Sequence, residues 1–227
     1  MQSSKLTAAL VAATLVAGAT MSSASVAGEF YVAGKISAST FDHTIDRNTE
    51  GFVLPVPDSG STSTADSTDF AGGVALGYQQ NFGQDRFFAG VEGFYNFETG
   101  SSENINGVLV TEIDLDASFG ARVLAGVNAT DRLSLYAHGG LTFLDFDVRN
   151  SYTFAPPVRN ASETEETFSF GFGASYKVSD HISVFGEYTQ TTDADFDGIP
   201  EVAGDTGRVN PNDINLNAFS LGLKYAF

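Results

Sequence analysis

Eight segments of this chain alternate between apolar and polar residues, so that one face of each segment carries no charge. A period of two is the pattern of a β-strand whose two faces meet different surroundings. The segments span approximately residues 29–39, 70–80, 86–98, 110–127, 132–146, 167–178, 182–190 and a last stretch that ends at Phe227. The sequence therefore predicts an all-β chain of eight strands, each with one face that excludes charge.

The last segment shows the alternation most clearly. Its apolar face consists of Phe219, Leu221, Leu223, Tyr225 and Phe227. A transmembrane barrel closes by pairing its last strand with its first, so we expect these five residues to face lipid and to act as an assembly signal. Ile214 and Leu216 fall on the opposite phase, which predicts a β-bulge near Ala218 or a later start of the strand.

The connections between the segments separate two possible architectures. A soluble sandwich also hides one face of each strand, so alternation alone does not decide. The links at 81–85, 128–131 and 179–180 are tight turns, whereas those at 40–69, 99–109, 147–166 and 191–213 are long and polar. Short periplasmic turns, long extracellular loops and aromatic girdles at both interfaces are typical of an outer-membrane barrel. We therefore predict an eight-stranded antiparallel up-and-down transmembrane β-barrel.

The first residues have the pattern of a secretory signal peptide. Lys5 precedes an uncharged, Ala-rich run from 6 to 20, and small residues follow. We predict cleavage after Ala27, with cleavage after Ala24 as the alternative, which gives a signal peptide at 1–27 and a barrel domain at 28–227. A retained transmembrane helix would need about 20 apolar residues. Export through the periplasm is the expected route.

Composition excludes two further classes. The chain has 28 acidic and 11 basic residues, a net charge of -17, and nucleic-acid binding needs clustered Lys and Arg. Beyond the signal peptide no apolar run reaches the ~20 residues of a membrane-spanning helix. The acidic excess indicates a solvated surface, which we assign to the extracellular loops.

Five charged or ionisable residues fall on the inward phase at similar distances from a turn or terminus. They are Lys35, Glu92, Arg122, His138 and Glu187. In the fourth segment the alternation places Leu115 outward and Asp116 inward. An eight-stranded barrel is only wide enough inside for side chains, so the five residues are expected to pair and close the lumen. A narrow gated channel is the alternative. The tight turn at 129–131 could also bring Arg122 beside His138.

Two other patterns suggest chemistry. Asp193, Asp195 and Asp197 resemble the start of an EF-hand loop, but Gly204 stands where that loop has its bidentate Glu. A Ca²⁺ site and a solvated acidic loop are the two interpretations, and no other cofactor is expected. His181 and Ser183 form a His-x-Ser pattern similar to that of outer-membrane lipid A deacylases. Because His181 would lie at a periplasmic turn, we predict that the protein is not an enzyme.

Four motifs together resemble a known group of proteins. They are the stretches Gly-Val-Glu-Gly-Phe-Tyr-Asn-Phe at 90–97, Asp-Arg-Leu-Ser-Leu-Tyr at 131–136, Gly-Glu-Tyr at 186–188 and Leu-Lys-Tyr-Ala-Phe at 223–227. They are similar to the opacity-type, OmpA- and OmpX-like small barrels often called porin-family proteins. The resemblance implies a monomeric barrel in the outer membrane of a Gram-negative bacterium, in contact with lipid and lipopolysaccharide. It also implies insertion by the barrel-assembly machinery after delivery by periplasmic chaperones.

The function that these patterns favour is structural. We expect a surface-exposed protein that acts through its acidic loops and has an interior filled by side chains. The alternative is a small porin that conducts ions or small solutes through a gated channel.

Overall fold

The structure, a computed structural model, describes residues 28–48, 62–106, 109–152, 155–192 and 208–227. These residues form a closed antiparallel barrel in which each strand pairs with its neighbours in sequence and the last strand pairs with the first. The strands are β1 Gly28–Asn48, β2 Thr62–Phe82, β3 Phe87–Asn106, β4 Leu109–Asn128, β5 Leu133–Tyr152, β6 Ala155–Lys177, β7 Ile182–Thr191 and β8 Arg208–Ala226. The predicted eight-stranded barrel is confirmed. No helix within this described part is long and apolar enough to cross a membrane.

Three tight turns lie together at one end of the barrel, which we call the turn end. They comprise residues 83–86, 129–132 and 178–181, close to the predicted links. In the first turn Gly83, Gln84 and Asp85 all have positive φ, at 64°, 59° and 62°. The left-handed conformation reverses the chain within four residues, and only the glycine adopts it without steric cost.

The two faces of the wall differ as the alternation predicts. Large apolar side chains such as Ile36, Phe70 and Phe172 are exposed on the outside, and together they form the apolar band. Small polar side chains such as Ser118 and Ser220 are buried inside. Since an eight-stranded barrel has room inside only for side chains, small hydroxyl residues leave space for the few long ones.

Aromatic rings mark both edges of the apolar band. At the edge far from the turns, Tyr95, Phe119 and Phe143 stack on three adjacent strands, with centroid distances of 6.2 and 5.5 Å. Near the turn end, Phe30 packs against Tyr78 at 4.9 Å. This arrangement is that of the two interfacial girdles of membrane barrels.

The strands are longer than the alternating segments, and the prediction of long loops at 99–109 and 147–166 is wrong. β3 continues to Asn106 and β4 begins at Leu109, while β5 continues to Tyr152 and β6 begins at Ala155. Seven strands have 19 to 23 residues, whereas a membrane span needs about 9–11. Beyond the membrane the outer face no longer meets lipid, so the alternation ends there while the backbone hydrogen bonds between strands continue.

We call the strand residues beyond the apolar band, on the side away from the turns, the upper wall. It comprises residues 41–48, 62–69, 98–106, 109–116, 145–152, 155–166 and 208–216. Eight such residues, at a rise of ~3.3 Å and a tilt of ~40°, raise the wall by roughly 20 Å. The barrel therefore projects well beyond the membrane surface.

Two predictions of side-chain direction are wrong where the apolar band meets the upper wall. The β4–β5 register shifts between Leu115 and Ala117, which leaves Asp116 as an extra residue. Leu115 is consequently buried and Asp116 exposed, the reverse of the prediction. A β-bulge moves every residue beyond it to the other face.

Neither the predicted bulge near Ala218 nor the predicted later start of the last strand is observed, because β8 already begins at Arg208. The β1–β8 register is regular at Ala218 and shifts farther along, where Asp42 pairs with Asn215 and Thr44 with Asn212. Leu216 keeps the inward phase of Ser220 and is buried. An apolar residue on the inward phase therefore indicates an apolar interior at the upper wall, not a break in the strand.

Candidate functional site

Five side chains meet inside the barrel and form the central charge cluster. They are Lys35 on β1, Glu92 on β3, Arg122 on β4, His138 on β5 and Glu187 on β7. Each lies on the inward phase of its strand, where the alternation places polar residues. Closure of tilted strands brings distant residues together, such as Lys35 and Glu187, which are 152 positions apart.

Arg122 is the centre of this cluster. Its Nε donates a hydrogen bond to Glu92 Oε1 at 2.7 Å, and its Nη2 lies 2.6 Å from the same oxygen. Nη2 also donates to both carboxylate oxygens of Glu187, at 3.2 and 2.9 Å. One guanidinium thus bridges carboxylates on β3 and β7, which stand on opposite sides of the lumen.

The two carboxylates have further donors that complete their coordination. Lys35 Nζ lies 3.2 Å from Glu187 Oε1, and the Tyr136 hydroxyl donates to Glu187 Oε2 at 3.2 Å. The Tyr31 hydroxyl donates to Glu92 Oε2 at 2.8 Å. Every carboxylate oxygen therefore has a donor, and two cations balance two anions. A buried ion pair is stable only under such conditions.

The sequence did not single out three aromatic residues that hold the cluster in place. Tyr31 and Tyr136 donate the hydroxyl hydrogen bonds, and the cations of Lys35 and Arg122 each lie 5.6 Å from the centroid of the Phe94 ring. A ring face attracts a desolvated cation. Aromatic residues on the inward phase, among strands whose other aromatic residues face lipid, are the signal that would have identified them.

His138 completes the cluster as a neutral ring. Its Nε2 lies 3.3 Å from Arg122 Nη1 and 3.4 Å from Thr189 Oγ1. Because the guanidinium can only donate, Nε2 must accept and the ring proton belongs on Nδ1. Nδ1 is buried and has no partner in the part of the chain that the structure describes.

The central charge cluster divides the lumen into two small cavities, each of about 40 Å³. The turn-side cavity is bordered by Tyr31, Ser134 and Lys224, and the far-side cavity by Ser37 and Thr142. Arg122 borders both. Each cavity has room for only a few water molecules, since one water molecule needs about 10–15 Å³ of cavity volume.

The turn-side cavity continues into an open bowl at the turn end, which we call the vestibule. It has a volume of about 600 Å³ and polar walls. Gln79, Ser134, Ser175 and Lys224 border both spaces. The lumen is thus wide at the turn end and narrows to a dead end at Arg122.

On the other side of the central charge cluster the inward phase becomes apolar. Leu144 and Phe146 of β5 are fully buried, and Leu115 of β4 and Leu216 of β8 are almost so. The alternation of β5 places Leu144 and Phe146 on the face that carries His138 and Thr142. Apolar side chains therefore fill the interior at the base of the upper wall.

The other two candidate sites are the acidic loop at 193–197 and the His-x-Ser pattern at 181–183. No group of three or more His, Asp or Glu among the described residues is placed to hold a metal ion. Asp193, Asp195 and Asp197 lie outside the described residues, as does the predicted signal peptide. His181 Nδ1 lies 3.0 Å from the Ala226 carbonyl oxygen, and Ser183 is buried on β7.

Comparison with known protein families supports the barrel fold described above. The family model described as "Outer membrane protein beta-barrel domain" matches residues 8–227. The match covers nearly the whole chain, and the protein belongs to this family. It is an outer-membrane β-barrel of a Gram-negative bacterium, and the predicted resemblance to small OmpA- and OmpX-like barrels is confirmed.

Solved structures show the same fold at low sequence identity. The outer membrane protein OprG from Pseudomonas aeruginosa is 14% identical with a TM-score of 0.57, and the match covers 89% of this chain and 97% of that chain. Neisserial surface protein A is 13% identical with a TM-score of 0.50, covering 87% and 97%. No curated protein matches the sequence. The likeness therefore extends to the fold alone.

Proposed function

We propose that this protein is a structural, surface-exposed barrel whose lumen is closed by the central charge cluster. The observation that carries the proposal is the position of Arg122, which borders both small cavities and bridges Glu92 and Glu187 across the lumen. Because the interior is closed, we assign the function to the outer surface of the barrel.

The energetics of burial support a permanent closure. Removing one partner of a buried ion pair costs about 3–5 kcal/mol, because the other charge is left without compensation. Opening the lumen would separate Arg122 from two carboxylates at once. The buried side chains Leu144 and Phe146 add a second obstruction at the base of the upper wall.

The upper wall supports the surface role. Its strands continue roughly 20 Å past the apolar band, at ~3.3 Å rise per residue. On β4 and β5 it carries Glu112, Asp114, Asp116, Asp145 and Asp147, with Arg149 among them. In outer-membrane barrels the ends opposite the short turns face outward. Lipopolysaccharide is the expected immediate surrounding of this acidic surface.

Biogenesis is the second part of the proposal. The outward residues of β8 complete the seam with β1, where Phe227 N donates to the Phe30 carbonyl oxygen at 2.9 Å. Among these residues Phe219, Leu221 and Leu223 are exposed to the surroundings of the barrel. We expect the barrel-assembly machinery and periplasmic chaperones to act on this strand and to deliver a monomer. The absence of enzymatic activity stays a prediction, and at 193–197 a Ca²⁺ site and a solvated acidic loop stay the two alternatives.

A gated channel is the alternative. One observation favours it, because a single guanidinium separates the two cavities and its displacement would join them. In that case movement of Arg122 would open the channel, and its ion pairs with Glu92 and Glu187 would hold it closed.

Planar-bilayer recording of the purified, refolded protein separates the two functions. A closed barrel should give no stable unit conductance, whereas a reproducible conductance step would establish the channel. Arg122→Ala serves as the comparison, since it removes the side chain between the cavities.

Cysteine labelling locates the closure directly. The chain has no cysteine, so a single introduced thiol is the only one present. Ser134→Cys, in the wall of the vestibule, should react quickly with a charged thiol reagent, while Thr142→Cys in the far-side cavity should be protected. Equal rates at the two positions in the refolded barrel would show that the lumen is open.

A further inference from the structure

The vestibule has a charge composition unlike that of the rest of the chain. The whole protein has 28 acidic and 11 basic residues. The wall of the vestibule carries Arg86, Arg132, Lys177 and Lys224 against three carboxylates, those of Glu29, Asp85 and Asp131. In so acidic a protein, an excess of cations around one open cavity requires an explanation.

The barrel register places two of these cations side by side. Lys177 of β6 pairs with Ser183 of β7, and Ser183 pairs with Lys224 of β8. The two lysines therefore lie on one row, two strands apart, or about 10 Å between Cα atoms. Lysine side chains are long enough for both ammonium groups to reach one ligand between them.

Neither lysine is in direct contact with a carboxylate of the described residues, although Glu29 and Glu92 attract Lys224 electrostatically from farther away. Lys224 Nζ contacts the Gln79 amide oxygen at 3.3 Å and lies 4.9 Å from the centroid of the Tyr31 ring, both uncharged groups. Within the described residues neither Lys177 nor Lys224 makes an ion pair. Lys35, by contrast, lies 3.2 Å from a carboxylate oxygen of Glu187.

The floor of the vestibule adds no free negative charge. Glu92 and Glu187 border the turn-side cavity, but both are bound to Arg122. The hydroxyl group of Ser183 on the wall offers an uncharged hydrogen bond. An anion entering from the turn end would therefore meet two cations with unused donors before it reached the closed centre.

We propose that the vestibule is a binding site for a small anion that carries phosphate or carboxylate groups, held between Lys177 and Lys224 and reached from the periplasm. The central charge cluster blocks further passage, so the site retains its ligand rather than conducting it. Charge-assisted hydrogen bonds from two ammonium groups supply the affinity.

The test measures binding of inorganic pyrophosphate to the full refolded barrel by calorimetry, in an uncharged detergent without phosphate. Wild-type protein should bind with one saturable site that weakens as salt increases. Lys177→Gln and Lys224→Gln should each raise the Kd at least about tenfold, since each removes one charge-assisted contact. Lys224→Arg should retain binding, because the charge is kept.

Arg149→Gln is the matched control, because it removes a cation from the outer surface of the upper wall and should leave the Kd unchanged. Heat-modifiable migration checks that each variant is folded. A second arm replaces pyrophosphate with vesicles that contain phosphatidylglycerol. If only these bind, and the two Gln variants lose that binding, the anion is a lipid headgroup. Absence of saturable binding in both arms, or binding that both Gln variants retain, would overturn the proposal.

Discussion

Two arginines of this barrel each lie between two carboxylates, one inside the membrane and one in the upper wall. Arg122 has a side chain only 5% exposed and is 2.6 and 2.9 Å from Glu92 and Glu187. Arg149 has a side chain 48% exposed and is 3.8 and 3.5 Å from Glu112 and Asp114. The residue types are the same, but the dielectric around them differs.

The comparison shows how the membrane band and the upper wall differ in their tolerance of change. Charges that are removed from water must all be paired, so each member of the central charge cluster depends on the others. Exposed pairs are screened by solvent and contribute about 0–1 kcal/mol. We therefore expect large effects from substitutions in the band and small effects from those in the upper wall.

The largest expected effect comes from the seam that closes the band. Removing Phe227 deletes an outward aromatic residue whose backbone N bonds to Phe30 and whose ring packs against Tyr225 at 5.3 Å. We expect little membrane-inserted protein and accumulation in the periplasm, measured by cell fractionation and heat-modifiable migration. Phe87→Ala removes an exposed aromatic ring at the start of β3, away from this seam, and should assemble. Normal insertion of the Phe227 deletion would show that the seam does not need this residue.

Breaking the central charge cluster is the next largest effect. Arg122→Ala should lower the free energy of unfolding by about 3–5 kcal/mol, measured by urea unfolding in lipid vesicles. Glu187 keeps Lys35 as its partner, whereas Glu92 loses the only cation that forms an ion pair with it among the described residues. Adding Glu92→Gln should consequently recover part of the loss. A double-mutant cycle without coupling between Arg122 and Glu92 would contradict this account.

A charge introduced on the lipid side tests the band from outside. Val123 lies beside Arg122 on β4 and is 62% exposed, while Val178 in the turn after β6 is 58% exposed. Val123→Arg should cost about 2–4 kcal/mol of unfolding free energy, and Val178→Arg about 0–1 kcal/mol, because the penalty depends on depth. Unfolding in vesicles gives both values. The opposite order would mean that the inside and outside of β4 are wrongly assigned.

The smallest effect is expected in the upper wall. Arg149→Ala should change the free energy of unfolding by less than about 1 kcal/mol, since exposed ion pairs contribute little. Any loss should shrink further at high salt. A cost as large as that of Arg122→Ala, under the same unfolding conditions, would remove the distinction between the two regions.

Within the apolar band, much of the structure could be predicted from the sequence alone. The alternation in segments such as 167–178 assigned both faces, because lipid and the lumen impose opposite chemistry on successive residues. The inward phase also identified all five members of the central charge cluster. It did not identify Tyr31 and Tyr136, since the partner of an inward hydroxyl depends on strands that are remote in sequence.

The upper wall could not be predicted in the same way. Residues 99–106 and 147–152 continue their strands although no alternation marks them, because the outer face of the wall no longer meets lipid there. The extra residue at Asp116 then reverses the directions of Leu115 and its neighbours. A local sequence pattern does not report the register on which that reversal depends.

The sequence by itself determined the number of strands, the face that each presents to lipid within the apolar band and the residues of the central charge cluster. These follow from local alternation, which reports only the difference between the two sides of a wall. The tertiary structure alone decided that Arg122 bridges Glu92 and Glu187, that the strands rise beyond the membrane, and that Lys177 and Lys224 share one row of the vestibule. Those contacts join residues far apart in the chain, and the closure and stagger of the whole barrel set their distances.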